Sequence, residues 1–259
     1  MFSYQHIIWL VICLILITVV IYEYDKKRPS LNSVLTTACV ISALSEIVKV
    51  FSVIELVPSK TGDLLLPYIP LNHLPLHFCS IQILLIYYVR FTRNQKQREN
   101  ILAFIYPTSI AGAIAALLMP SIFTTSIPVE KAFVSPLSYQ FFLFHSMLVA
   151  LGIIILKSKE IHWQKKHMYY TIGFVFLLGF ISIYANSLFA SPIYEDGKLV
   201  SVDFWTNFFF TYQNPLGIQI TKLWHWFLYL FIISLLAVSI IFLFYYPLVF
   251  KKKRNIQAN

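Results

Sequence analysis

The stretch LPLHFCSIQILLI, residues 74–86, sets a histidine, a cysteine and a glutamine within one short apolar run, and a second histidine stands much later in FFLFHSMLVALG. Cys79 is the candidate nucleophile. A thiol with an imidazole in hydrogen-bond reach is the smallest arrangement that attacks an acyl donor, and the intermediate it forms is a thioester. His77 lies two residues before Cys79, about 200° around a regular helix, so a base for the thiol has to come from another helix. His145 is the best candidate for that base. Gln82 sits one turn from Cys79 on the same face and could steady a substrate carbonyl; His77, Asn186 or Gln82 could donate to an oxyanion. His225 adds a further imidazole near the start of the last apolar run. Each residue also has a plainer reading, since a buried free cysteine packs as a small hydrophobe and an intramembrane histidine links helices by hydrogen bonds.

A charged pair complicates the picture. Glu46 and Lys49 are three residues apart and share a helix face, so they could simply pair with each other. Alternatively Glu46 could orient His145, or the two could form part of an ion or proton path. Cys13 and Cys39 have no polar company and are read as packing residues. None of the three cysteines has metal-ligand spacing to another, and none belongs to a disulfide framework.

These residues have to be positioned by elements that water cannot solvate. The chain is 58% hydrophobic and only 12% charged over 259 residues, far from the roughly even mix of a soluble domain. Its apolar runs are about twenty residues long, enough for a helix to cross a hydrocarbon core of roughly 30 Å. They lack the alternation of a membrane barrel strand. The sequence therefore predicts an all-α integral membrane protein, a seven-helix bundle forming one transmembrane domain over 1–259. Spans are expected near 6–23, 33–57, 75–91, 101–119, 138–156, 168–189 and 223–249.

Alternate loops then fall on opposite sides. One side collects Lys26, Lys27, Arg28, Arg90, Arg93, Lys96, Arg98, Lys157, Lys159, Lys165, Lys166 and the Lys251 to Arg254 tail, while the other holds Lys60, Lys131, Lys198 and Lys222. By the positive-inside rule the first side is cytoplasmic, which puts the amino terminus outside. The net charge of +9 follows from that asymmetry. It gives no reason to invoke nucleic acid, and the basic tail beside a span suits anionic head groups. The long outer connections at 58–74, 120–137 and 190–222 are expected to cover or line something. Within the last, DFWTNFFFTYQNP suits an interfacial belt or a short helix lying on the membrane.

Counting 1.5 Å per residue from the outer boundaries places His77, Cys79, His145, Asn186, His225, Lys49 and Glu46 in the outer half of the bundle. Polar groups gathered at one depth on five helices point to a cavity opening outward. In NHLPLHFCSIQ, Pro75 is expected in the first turn of the third span with Asn72 as N-cap, so that Cys79 feels a helix amino terminus.

The LPLHFC segment resembles the signature of the YwaF-like bacterial membrane proteins, related to the eukaryotic transmembrane protein 164. FFLFHSMLVALGIIIL at 141–156 is similar to that family's fifth-helix histidine segment, ANSLFASP at 185–192 to its asparagine-containing end of helix six, and QNPLGIQITKLWHWFLY to its last-helix start. The resemblance implies a seven-helix membrane acyltransferase or acyl hydrolase acting on lipid acyl chains, with Cys79 as nucleophile and His145 as its partner. Such a Cys–His mechanism requires no metal or soluble cofactor, and the reading takes membrane lipids as partners and residence in a bacterial cytoplasmic membrane. The competing expectation is a small-solute carrier or membrane sensor that uses Glu46 and Lys49 without covalent chemistry.

Overall fold

The computed structural model describes residues 2–59, 61–212 and 220–250. Lys60, the 213–219 part of the last-helix motif and the Lys251 to Arg254 tail lie outside the described residues. The described residues form eight α-helices and two hairpins: α1 Tyr4–Lys27, α2 Leu31–Val53, β1 Glu55–Pro58, β2 Leu65–Tyr68, α3 Phe78–Phe91, α4 Gln95–Leu118, the single turn α5 Ile122–Thr125, α6 Pro136–Lys157, α7 Lys165–Leu188, β3 Ala190–Glu195, β4 Lys198–Phe204 and α8 Leu223–Val249. Six of these helices, α1, α2, α4, α6, α7 and α8, are long and apolar enough to cross a bilayer. The chain is a multi-pass helical membrane protein.

Local chemistry sets the helix ends. Ser3, Ser30 and Asn94 each cap a helix by accepting a backbone N–H three residues on, and Pro136 occupies the first turn of α6, where its missing N–H is harmless. Arg28 closes α1 in the left-handed region at φ 45°. Pro107, inside α4, cannot donate to the carbonyl of Ala103 four residues before it. That carbonyl is taken instead by the Tyr245 hydroxyl of α8 at 2.8 Å, and the same hydroxyl meets Thr171 of α7 at 2.9 Å. One proline thus fixes three helices together.

Helices α4 and α6 form the buried centre. They approach so closely that a Cβ on Gly152 would lie 2.5 Å from Ile110, 2.6 Å from the Ser109 hydroxyl and 2.9 Å from the Tyr106 carbonyl. Such small-residue contacts are how helices gain packing in lipid. Helices α1 and α2 pack on α6, α3 on α2 and α4, and α7 on α4 and α8. The remaining faces are apolar and open, with Leu84, Phe176 and Phe231 among the exposed side chains, as expected of surfaces that meet lipid.

Two expectations about elements are corrected. The second span ends at Val53, four residues early, because Glu55–Pro58 pairs antiparallel with Leu65–Tyr68. The DFWTNFFFTYQNP segment, 203–215, forms no short interfacial helix: it begins in the last strand of a second antiparallel hairpin, Ala190–Glu195 with Lys198–Phe204, and continues into a 3-10 turn at Phe208–Phe210, while 213–215 lie outside the described residues. Both hairpins lie at the same end of the bundle, here called the hairpin end, where they flank a cavity of about 280 Å³ lined by Tyr68, Leu71, Phe189, Ser191 and Trp205 among others.

Candidate functional site

The third helix starts later than the Pro75 pattern predicts. Residues 71–73 form a 3-10 turn, the chain stays extended at His77 (φ −70°, ψ 153°), and α3 begins at Phe78 with His77 as its N-cap. Asn72 is not the cap. Its carbonyl accepts from His77 Nε2 at 2.9 Å, which folds the approach back on itself. Cys79 is consequently the second residue of α3, closer to the amino terminus than expected, and keeps part of its surface accessible.

Helix α4 supplies the wall beside the thiol. A Cβ on Gly112 would sit 3.6 Å from Cys79 Sγ and 2.9 Å from the Phe78 ring, so the bare glycine makes room for both. One turn along α3, the Gln82 amide donates to Thr108 Oγ1 at 2.9 Å. Thr108 spends its own proton on the Phe104 carbonyl at 2.6 Å, which fixes the direction of that bond. The Gln82 side chain is 1% exposed, and its Oε1 has no hydrogen-bond partner among the described residues. Gln82 therefore braces α3 on α4, with an unused acceptor one turn from the thiol.

His145 projects from α6 in the same half of α4. Its Nδ1 lies 2.6 Å from the Phe141 carbonyl, an acceptor only, so Nδ1 carries the proton and Nε2 keeps its lone pair. The contact of Gly152 with Ser109 and Ile110 sets the register of the two helices. Counting back at 1.5 Å per residue puts His145 about 6 Å nearer the hairpin end than Gly112, roughly one turn from the level of Cys79. His145 is also within electrostatic reach of His77. No hydrogen bond joins Cys79 directly to His145 among the described residues.

Glu46 and Lys49 satisfy each other at 2.7 Å on α2. Lys49 faces the turn before α3: its charge, after burial and ahead of His77, helps hold the His73 imidazole below its ordinary range. His225 lies in the first turn of α8, 3.4 Å from Thr221 Oγ1 and stacked edge-on against Trp224, and among the described residues no hydrogen bond ties it to the thiol. Cys13 and Cys39 are buried. Among the described residues no three metal-ligating side chains converge.

Asn186 has a different task from donating to an oxyanion. It is fully buried, and its amide donates to Phe208 O at 3.1 Å and Thr211 Oγ1 at 2.9 Å. Its Oδ1 accepts from Thr206 Oγ1 at 2.9 Å and Phe208 N at 2.8 Å. Both amide protons are committed, so Asn186 is a clamp for the 206–211 turn. The rings of that turn then reach α3: Phe208 meets His77 at 4.9 Å and Phe209 meets Phe78 at 5.2 Å between centroids. Sequence reasoning missed Thr108, Gly112, Thr206 and Thr211. A buried asparagine needs partners for its amide and its carbonyl oxygen, which says that such groups exist but not that Thr206 and Thr211 are among them.

No curated protein and no solved structure is similar enough to this chain to be matched. Comparison with known protein families gives a match to the TMEM164 family over residues 1–245, which contains the thiol, the imidazole and the asparagine clamp, and the chain belongs to that family.

Proposed function

We propose that this protein transfers or hydrolyses lipid acyl groups through Cys79 and His145. The single observation that carries the reading is the tautomer of His145: Nδ1–H is spent on the Phe141 carbonyl, leaving Nε2 as a base one turn from the level of an accessible helix-start thiol. In the proposed first step Nε2 takes the Cys79 proton while Sγ bonds to the ester carbonyl carbon. The C–O bond then breaks and His145 returns the proton to the leaving alkoxide. An alcohol or water reverses the sequence and frees the thiol. Neither His77, whose Nε2 proton is spent on the Asn72 carbonyl, nor Lys49, paired with Glu46, is assigned to the oxyanion.

The topology we infer has seven crossings within one domain over 1–259, the hairpin end outside and the carboxyl terminus inside a bacterial cytoplasmic membrane. Helix α3 is 14 residues long, about 21 Å, and the 70–77 approach supplies the remaining depth. The charge distribution supports that orientation.

The test is labelling of membranes with a lipid-like, thiol-reactive acyl probe. Wild-type protein forms a hydroxylamine-sensitive adduct, Cys79→Ala forms none, and His145→Ala forms it roughly a hundredfold more slowly, the usual worth of a general base. Equal labelling of all three defeats the proposal. Retained labelling in Glu46→Gln separates it from the carrier alternative, which needs that carboxylate.

A further inference from the structure

The 206–211 turn is built in a costly way. Phe209 and Phe210 both adopt positive φ, 57° and 54°, a region that bulky side chains enter only when their surroundings impose it. Those surroundings are identifiable. The Phe208 carbonyl is held by Asn186 of α7, the Phe210 carbonyl by the Tyr229 hydroxyl of α8 at 2.5 Å, and the Thr211 carbonyl by the Trp226 indole N–H of α8 at 2.8 Å. Helices α7 and α8 thus anchor the backbone of the turn, while its rings lie on His77 and Phe78 at the start of α3. Phe208 is 1% exposed and Thr206 3%, whereas Phe210 is 47% exposed, so the inner side of the turn is dry and its outer side is open.

We propose that the Asn186-clamped 206–211 turn is a cap over the hairpin end of α3 that keeps bulk water from Cys79 and leaves the thiol reachable from the lipid side. The strained backbone is what presents two successive aromatic rings to one short stretch of α3. The inference rests on the acyl-transfer reading for its consequence. With the cap closed, the C–S bond of the thioester is broken by a membrane-borne hydroxyl, whose proton passes through His145 to the thiolate; with the cap loosened, water takes the place of that hydroxyl and the products are free acid and thiol. Asn186 is a positioning residue here, acting through the cap.

The experiment uses the full chain in phospholipid nanodiscs, with Cys13 and Cys39 replaced by Ala so that only Cys79 reports. The probes are a charged methanethiosulfonate and a long-chain alkyl maleimide. With Asn186 intact, the thiol reacts with the maleimide, and the charged reagent is at least about tenfold slower than with an unfolded control. Asn186→Ala raises the charged-reagent rate about tenfold or more, while the maleimide rate stays within about twofold. Should Asn186→Ala fail to accumulate, Phe209→Gly is the second variant: glycine accepts φ 57° without strain, so the fold is kept while the covering ring is lost, and the same rise is expected. A charged-reagent rate that neither variant changes, or that is already fast with Asn186 intact, overturns the cap. The labelling needs no enzyme activity. A cap that behaves as expected in a protein that forms no thioester from a lipid ester sinks the acyl-transfer reading alone; a thioester whose partition between acceptor lipid and free acid ignores Asn186→Ala sinks the cap's consequence alone.

Discussion

At the scale of single residues, the candidate site depends on what is left out as much as on what is present. Gly112 has no side chain where Cys79 Sγ and the Phe78 ring converge. Adding one methyl puts a carbon 2.9 Å from Phe78 Cδ1, about half an ångström inside ordinary contact. The ring then has to move, and it is the ring on which Phe209 rests. We expect Gly112→Ala to cost about 1–3 kcal/mol of stability, the usual range for overpacking, and to slow acyl loading of Cys79 several-fold. Loading rates normalised to folded protein measure the second effect, and unchanged loading in a destabilised variant shows that Gly112 serves packing only. His145 makes the complementary point. Its usefulness as a base comes from a bond to the backbone of its own helix, so no second side chain is required to set the tautomer, and Glu46, occupied with Lys49, is not needed for it.

At the scale of elements, helices in lipid gain little from apolar contact, and their association rests on close packing and on polar groups that must be satisfied. Pro107 creates such a group by leaving the Ala103 carbonyl without its helical donor, and Tyr245 answers it from α8. Tyr245→Phe keeps the ring and removes only the hydroxyl. Its expected cost is about 1–2 kcal/mol, since a buried carbonyl is left unpaired and Thr171 loses its partner as well. Unfolding of the purified protein by a denaturing detergent reads the difference, and no shift means that water or another helix serves the carbonyl. The long helices were legible because each is a run of apolar residues bounded by charges or capping side chains. The start of α3 was misjudged because Pro75 satisfies every local rule for a first turn, while the bond from His77 back to Asn72 depends on a conformation that no local rule specifies. The hairpins were illegible for another reason: their strands are mostly exposed on both faces, so they carry no alternation to detect. The role of Asn186 was hidden because its partners lie 20 to 25 residues away, in a segment whose turn is fixed by the clamp itself.

At the scale of the whole molecule, the asymmetry of charge and the asymmetry of structure coincide. The end opposite the hairpins carries Lys26, Lys27, Arg28, Arg90, Arg93, Lys96, Arg98, Lys157, Lys159, Lys165 and Lys166, and it is tied by polar bonds suited to water. Arg98 pairs with Glu160, donates to Asn32 Oδ1 at 2.9 Å and reaches the Val89 carbonyl at 3.1 Å, joining the ends of α2, α3 and α4. The hairpin end holds few cations and gathers the aromatic cap, the cavity and the thiol. Whether α3 crosses the membrane decides how these ends are sided. If it does, Asp63 and Arg93 face opposite compartments, and the hairpin turn at Lys198 shares a side with Asp63. A cysteine placed at Asp63 or Lys198, on a background without the native cysteines, should then react in intact cells with an impermeant maleimide. One placed at Arg93 or Lys166 should react only after permeabilisation. Labelling of Asp63 and Arg93 from the same side would defeat the seven-crossing reading, because Arg98 meets Asn32 and Val89 at the end opposite the hairpins and α3 is what carries the chain there.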